Sequence, residues 1–208
     1  MHRFARLALF ALALLSIGSV PLAAQRRVQL TVTVPTATAP GLVTATGLFG
    51  DPEMRELIRS GFPASLRFRL ELWRAGGLFN DLVGTHEWEL IVQYDPSGQR
   101  YRVVRRLGGR LEDLGSFATL ATAQAMLERP LRITLLPDRG GRRYYYNFVL
   151  DISALSVSDM DQLERWLRGV RGGTAAGALG SGVRTLMLRM LGGENRHYDR
   201  RSGQFVVR

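Results

Sequence analysis

The sequence predicts a mainly β (α+β) fold, an antiparallel β-sandwich with short helical insertions. Several segments alternate apolar and polar residues with a period of two, most clearly residues 66–73, as strands with one buried face do. Turn sequences join such segments in neighbouring pairs, most clearly at 94–98, where Pro and Gly occupy turn positions. The sequence lacks a regular strand–helix–strand alternation, so hairpins packed as a sandwich are favoured over a parallel sheet.

The first part of the predicted domain contains two strands and one helix. Residues 28–34 alternate as a half-buried strand, whereas residues 35–47, rich in Thr, Ala and Pro, are predicted to be a loop or an irregular edge. Asp51 and Pro52 are typical of a helix start, because Asp caps the helix and Pro fits its first position. A long strand over 66–72 follows this helix.

The later elements follow from the same patterns, which together predict six or seven strands. In chain order they are a loop over 76–84, a β-hairpin over 85–107, a helix over 117–129, a second hairpin of 131–135 with 144–152, a helix that begins at 158, and a last strand over 204–208. Turns are predicted at Glu112, Asp113 and Asp138, and a C-terminal loop at His197.

The N-terminus has the order of a secretory signal peptide. Arg3 and Arg6 precede an apolar run over 7–17, and small residues that suit a signal peptidase end at Ala24. We therefore predict that residues 1–24 are cleaved and that the remainder is exported to the periplasm or cell envelope. An uncleaved N-terminal anchor is the alternative, because the apolar segment is close to the minimum length of a membrane helix.

After the signal peptide, the chain is predicted to form one domain with a C-terminal extension. The sandwich-like domain spans residues 25–171, a Gly/Ala-rich linker spans 172–182, and an amphipathic helix with a tail spans 183–208. The chain contains no Cys, so an exported domain of this sequence depends on packing alone. A hydrophobic content of 46% is sufficient for that.

Six features keep a common order and spacing between residues 28 and 170. They are the strand 66–72, the loop at Asp81, Tyr94-Asp95-Pro96, Tyr101-Arg102-Val103, the three-residue steps of Phe117, Leu120 and Ala123, and the run from Tyr146 to Asp151. Together they resemble DUF4390, a bacterial family of unknown function, although Leu78 and Phe79 stand where the family pattern has Trp. The resemblance implies an exported envelope protein, and the gene neighbourhood of some members implies a role accessory to a sensor kinase.

The residue inventory excludes several kinds of site chemistry. All 28 Lys/Arg positions are arginine and Cys is absent, so a thiol nucleophile, a Schiff-base lysine and a P-loop lysine are excluded. His86 and His197 show no metal-ligand spacing, and the Ser-containing elbow of hydrolases does not occur. We therefore predict no catalytic residue, no metal ligand and no cofactor. A hydrolase that acts on an envelope polymer through paired carboxylates is kept as the enzyme alternative.

Arginine is concentrated in the predicted strands and turns. The candidate surface for an anionic partner comprises Arg67, Arg69, Arg100, Arg102, Arg142 and Arg143. If their strands are neighbours, these side chains form one cationic face near Trp73, Tyr144 and Tyr145 that attracts acidic proteins or anionic lipids. The alternative is an ordinary solvated face whose arginines are balanced by acidic residues, namely Glu71, Glu87, Glu89 and Glu112.

Three functions remain open from the sequence alone. The first is a non-catalytic exported protein that binds another envelope component, with the outer part of a sensor kinase as one such partner. The second is the carboxylate hydrolase, and the third is a protein that binds an anionic lipid surface. A nucleic-acid partner is not expected, because the sequence is predicted to be exported and carries no recognition motif.

Overall fold

The computed structural model describes residues 27–76, 78–138, 140–154 and 196–206. Within these ranges the chain is mainly β with two short helices, which confirms the predicted fold class. The elements in chain order are β1 (Gln29–Thr33), β2 (Leu42–Thr46), α1 (Pro52–Arg59), β3 (Ala64–Arg74), β4 (Asp81–Asp95), β5 (Arg100–Leu107), β6 (Arg110–Phe117), α2 (Leu120–Leu127), β7 (Leu131–Arg132), β8 (Arg143–Ala154), β9 (Arg196–Arg201) and β10 (Phe205–Val206).

Two antiparallel sheets build the fold. The main sheet has the order β8-β3-β4-β5-β6, and both β9 and β10 pair with β8 at its other edge. The small sheet has the order β1-β2-β7. Central strand β3 pairs along its whole length with β4 on one side and β8 on the other, so that Phe68 lies opposite both Trp88 and Leu150.

The main hydrophobic core of the described residues lies between the two sheets. Alternate residues of β3, from Leu66 to Leu72, are buried, as the period of two requires. Val43 and Ala45 of the small sheet belong to the same buried cluster. Tyr146 of β8 is fully buried in it, and its hydroxyl donates a hydrogen bond of 2.8 Å to the carbonyl oxygen of Leu135. The inner face of the main sheet is therefore apolar, and its other face is available for polar side chains.

Helix α1 forms where the sequence predicts it. The carboxylate of Asp51 accepts a hydrogen bond of 2.9 Å from the backbone N–H of Glu53, which caps the helix. Met54, Leu57 and Ile58 are buried along one side, and the chain leaves the helix through Gly61 in a left-handed conformation.

Three strands are not predicted by the sequence. Strand β2 lies in the predicted loop 35–47. Its alternation of apolar and polar residues is short and flanked by Pro and Gly, so the sequence does not indicate a strand there. Strand β6 includes Glu112 and Asp113, which were predicted in turns. Strand β9 contains His197, which was predicted in a loop; five of the six β9 side chains are polar or charged, so no apolar alternation marks it as a strand.

The second predicted hairpin is wrong. Residues 131–132 form β7, which pairs with β2 of the small sheet rather than with β8. β8 pairs with β3 instead, so the segment between β7 and β8 crosses from one sheet to the other. The sequence shows the two strands and the turn but not which distant strands they join, since pairing depends on the whole core.

Several sequence predictions lie outside the described residues. These are the signal peptide, the helix that begins at 158, the linker 172–182 and the amphipathic helix that follows it. Residues 196–206, in the predicted C-terminal tail, are described and extend the main sheet through β9 and β10. Among the described helices, neither is long and apolar enough to cross a membrane.

Candidate functional site

The outer face of the main sheet, which points away from the small sheet, carries most of its charged side chains. Arg67, Arg69 and Glu71 project from β3 on this face, because they alternate with the buried leucines and Phe68. Glu87 and Glu89 do the same on β4. The pairing of the strands places these side chains next to one another across the sheet.

One row of this face alternates basic and acidic residues across five strands. We call it the charge ladder: His197 (β9), Asp151 (β8), Arg67 (β3), Glu89 (β4) and Arg106 (β5) lie in register with their neighbours. Opposite charges on neighbouring strands attract each other, so the ladder fixes the direction of each side chain.

Glu89 is the centre of the charge ladder. Its side chain is only 9% exposed, and both oxygens are used. One oxygen accepts hydrogen bonds from the Ser65 hydroxyl and, at 3.3 Å, from Arg67 Nε. The other accepts a bond of 2.8 Å from Arg106 Nη1. At one end of the ladder, His197 Nδ1 lies 2.7 Å from an oxygen of Asp151.

A second acidic residue on this face, Glu71, lies two rows from the charge ladder and holds several side chains. It accepts hydrogen bonds of 2.9 Å from Trp73 Nε1 and 3.1 Å from Asn147 Nδ2, and its other oxygen lies 2.9 Å from Arg69 Nε. Trp73 is also stacked on Tyr145, with ring centres 6.4 Å apart. Arginine on this face is therefore held by carboxylates rather than gathered into a cationic patch.

An open groove with a volume of about 460 Å³ runs along the charge ladder. Its charged lining consists of Arg67, Arg69, Glu87, Glu89, Arg106 and Asp151, and the Gly108–Gly109 turn after β5 closes one side. The side chains of Arg67 and Arg69 are 57% and 45% exposed, so both remain accessible in spite of their ion pairs. Glu87 is exposed and makes no ion pair with any described residue.

The groove does not favour the carboxylate hydrolase. Paired-acid hydrolysis needs two carboxyl groups that face the substrate, one of them able to give up a proton. Glu89 uses both oxygens within the charge ladder, and Asp151 contacts His197. Only Glu87 has a carboxylate without a partner among the groove acids of the described chain. No group of three potential metal-ligating side chains occurs in the part of the chain that the structure describes.

The six arginines of the predicted anionic-partner surface lie in four places. Arg67 and Arg69 lie in the groove. Arg102 is 7% exposed, and its Nη2 lies 2.6 Å from an oxygen of Asp113 on β6. Arg100 is exposed beside the β4–β5 turn, at one end of the main sheet. Arg142 and Arg143 are exposed at the opposite end, where β8 begins.

The groove also contains residues that were not predicted as site residues. In the sequence, Asp151 ends the run from Tyr146 that contributes to the DUF4390 resemblance, and Arg106 is not among the six arginines of the predicted surface. Their alternation of charge with Arg67 and Glu89 depends on the order of four strands, of which only β4 and β5 are joined by a short turn. A sequence pattern within one strand cannot reveal such a row.

Comparison of the chain with protein-family models, with curated proteins and with solved structures returned no match. The resemblance to DUF4390 therefore stays a prediction, and the case for a function depends on the geometry described above.

Proposed function

We propose that this chain is a non-catalytic exported protein that binds another protein of the cell envelope through the groove on the outer face of its main sheet. The observation that carries the proposal is the charge ladder, which holds exposed Arg67 in a fixed position near the carboxylate of Glu87, which has no partner among the described residues. Groups held in place before binding lose little conformational freedom when a partner arrives, which favours affinity.

A protein partner fits this groove better than a small molecule. Pockets for small ligands are mostly enclosed and apolar, whereas this groove is open and lined by both signs of charge. A surface of alternating charge selects a partner with the opposite alternation and rejects surfaces of one sign. The sensor-kinase association implied by the DUF4390 resemblance makes the exported part of such a sensor the first partner to test.

The proposal is tested by photo-crosslinking in intact cells. A photoreactive amino acid replaces Thr85, which is exposed on β4 on the same face as Glu87, and, as a matched control, Ala125, which is exposed on α2. We expect a discrete protein adduct from position 85 and none of the same mass from position 125. The charge reversal Glu87→Arg should abolish this adduct, and Glu56→Arg on α1 should not.

Two results would contradict the proposal. The first is the absence of any adduct specific to position 85 in cells that express the protein at its normal level. The second is an adduct that Glu87→Arg and Glu56→Arg leave equally strong, because the partner would then not contact the groove.

A further inference from the structure

Exposed apolar side chains are concentrated at one end of the main sheet. Five of the seven large apolar side chains that are exposed in the described part of the chain lie there, and we call this group the apolar end: Leu78, Phe79, Leu82, Leu136 and Val206. The pairing of Arg74 with both Asp81 and Tyr144, and of Val206 with Arg143, brings the segments of the other four residues to the same end. Leu136 lies between Leu135 and Asp138, which accept hydrogen bonds from Tyr146 and Tyr144 at the start of β8. Scattered exposed apolar residues are ordinary, but such a concentration indicates a contact surface.

The most exposed residues of the apolar end lie on the loop that joins β3 to β4, and contacts within this loop and at its base hold it in place. Arg74 and Asp81 form an ion pair of 2.9 Å across the base of the loop that joins β3 to β4, and this contact raises the pKa of Arg74. Within the loop, the backbone N–H of Gly76 donates to Asn80 Oδ1 at 3.3 Å. Leu78 and Phe79 are 93% and 83% exposed on this loop, so they protrude from the molecule.

Two arginines without ion-pair partners in the described chain adjoin this loop. Arg142 and Arg143 are exposed, and neither side chain makes an ion pair or a hydrogen bond with a described residue. The backbone N–H of Ala75 donates to the carbonyl oxygen of Arg143 at 2.8 Å, which keeps the two arginines beside the loop. The acids at this end are already engaged, since Asp81 binds Arg74 and Asp138 accepts a hydrogen bond from Tyr144.

We propose that the apolar end docks the protein on an anionic lipid bilayer, with Leu78 and Phe79 inserted among the headgroups and Arg142 and Arg143 bound to lipid phosphates. Apolar side chains next to arginine suit the interface, where the hydrophobic effect and attraction to anionic lipid act together. The guanidinium group also matches the geometry of a phosphate. This inference goes beyond the proposed function, because it uses residues outside the groove.

The shape of the apolar end favours a bilayer over a protein partner. Its side chains lie on separate turns and on the ends of strands, and the most exposed ones protrude from a loop tip. A protein interface of stable affinity needs a packed and complementary surface. A fluid headgroup region accepts protruding side chains without such complementarity, and an interfacial depth of about 5–10 Å is enough for one loop tip.

The first test measures binding to vesicles by flotation. The full chain, in the form in which cells export it, is mixed with vesicles of phosphatidylglycerol and phosphatidylethanolamine, or with vesicles of phosphatidylcholine alone. We expect binding that requires phosphatidylglycerol and weakens as salt is raised. Arg142→Gln with Arg143→Gln should weaken it by roughly 30-fold. Leu78→Ser with Phe79→Ser should weaken it by at least as much, roughly 30-fold or more.

Matched controls lie elsewhere on the same chain. Leu107→Ser with Leu131→Ser removes two leucines that are exposed in the described structure and lie outside the apolar end, and Arg129→Gln with Arg132→Gln removes two exposed arginines near the small sheet. All variants keep the same N-terminus, so a contribution from that segment cancels in the comparison. We expect both control pairs to bind as the unchanged protein does.

The second test locates the inserted residue directly. Because the chain has no Cys, Phe79→Cys or Leu131→Cys accepts a polarity-sensitive fluorophore at one position only. The emission of a label at 79 should shift to the blue with anionic vesicles, and that of a label at 131 should not. The proposal is overturned if the protein does not bind the vesicles, or if both apolar-end double variants bind them as the unchanged protein does. It is also overturned if a photoreactive amino acid at position 79 forms only a protein adduct in cells.

Discussion

At the scale of single residues, the most consequential side chain is Glu89, which is buried at the centre of the charge ladder. It accepts hydrogen bonds from Ser65 and Arg67 and from Arg106, whose Nη2 is itself buried without a hydrogen-bond partner in the described chain. Removing the charge of one partner in a buried pair leaves the other charge uncompensated, which is costly even where the pair itself adds little.

We expect Glu89→Gln to lower the free energy of unfolding by at least about 2 kcal/mol. Glu87→Gln is the matched control, because it makes the same change two residues away on the same strand and face. That control should change stability by no more than about 0.5 kcal/mol, since Glu87 is exposed. Urea unfolding of both variants measures the difference, and equal losses would show that the ladder contributes no stability.

Tyr146 gives the fold a dependence on alkaline pH. Burial raises the pKa of its hydroxyl to about 12, from an ordinary value near 10. Above pH 10 the unfolded chain therefore loses a proton that the folded chain retains, so stability falls as the pH rises towards 12. The absence of Lys and Cys removes the other side chains that ordinarily titrate between pH 8 and 11, apart from the remaining tyrosines.

We expect Tyr146→Phe to reduce this alkaline loss of stability, which has a limiting slope of about 1.4 kcal/mol per pH unit for one proton. At pH 8 the variant should be less stable than the unchanged protein, because it lacks the hydrogen bond to the carbonyl oxygen of Leu135. The difference in the free energy of unfolding between the two proteins should then narrow above pH 10. Urea unfolding at pH 8, 10 and 11 measures it, and a constant difference would refute the assignment to Tyr146.

At the scale of elements, helix α1 is joined to the far edge of the main sheet by its own cap. Asp51 accepts the capping hydrogen bond from Glu53 and also forms an ion pair with Arg196 at the start of β9. One carboxylate thus serves a local and a long-range contact. The capping role is evident from the sequence, whereas the contact with a residue 145 positions later is not.

We expect Asp51→Ala to lower the free energy of unfolding by about 1–2 kcal/mol, since it removes the cap and the ion pair together. Asp51→Asn should cost less than about 1 kcal/mol, because an amide oxygen still caps the helix and only the partly exposed ion pair is lost. Arg196→Gln isolates the ion pair from the cap. If Asn is as costly as Ala, the ion pair rather than the cap determines the contribution of Asp51.

The elements that the sequence predicts are those with a local signal. Strand β3 alternates over its whole buried length, and α1 has a capping residue and an apolar side. Strand β6 was missed because acidic residues interrupt its pattern, although Glu112 and Asp113 pair with arginines of β5. The groove was not predictable, because its members come from strands far apart in the sequence and their adjacency depends on sheet order.

At the scale of the whole molecule, the two proposed surfaces lie on different parts of the main sheet. The groove occupies the middle of the outer face, and the apolar end lies where β3 ends and β4 begins. A protein docked through its apolar end would hold the main-sheet strands upright on the bilayer and leave the groove exposed beside it. Binding of a protein in the groove is therefore compatible with docking of the apolar end on a bilayer, and an experiment can refute either proposal without refuting the other.

Strand β4 extends beyond the end of its neighbour β5 in the main sheet. β5 pairs with β4 only from Glu89 onward, so residues 84–88 of β4 pair with β3 on one side and with no described strand on the other. Such an edge offers free backbone groups to an added strand. In an antiparallel pair, amides of alternate residues point towards the partner strand, and the others point away from it.

Hydrogen exchange of single amides tests whether this edge is free in solution. We expect alternating slow and fast exchange over residues 84–88, because only the amides bonded to β3 are protected. Residues 89–92, which pair with β3 on one side and with β5 on the other, should exchange slowly throughout and serve as the internal control. Uniform slow exchange over 84–88 would mean that another strand covers the edge. Its loss on dilution would identify that strand as part of a second copy, and its persistence as part of the same chain.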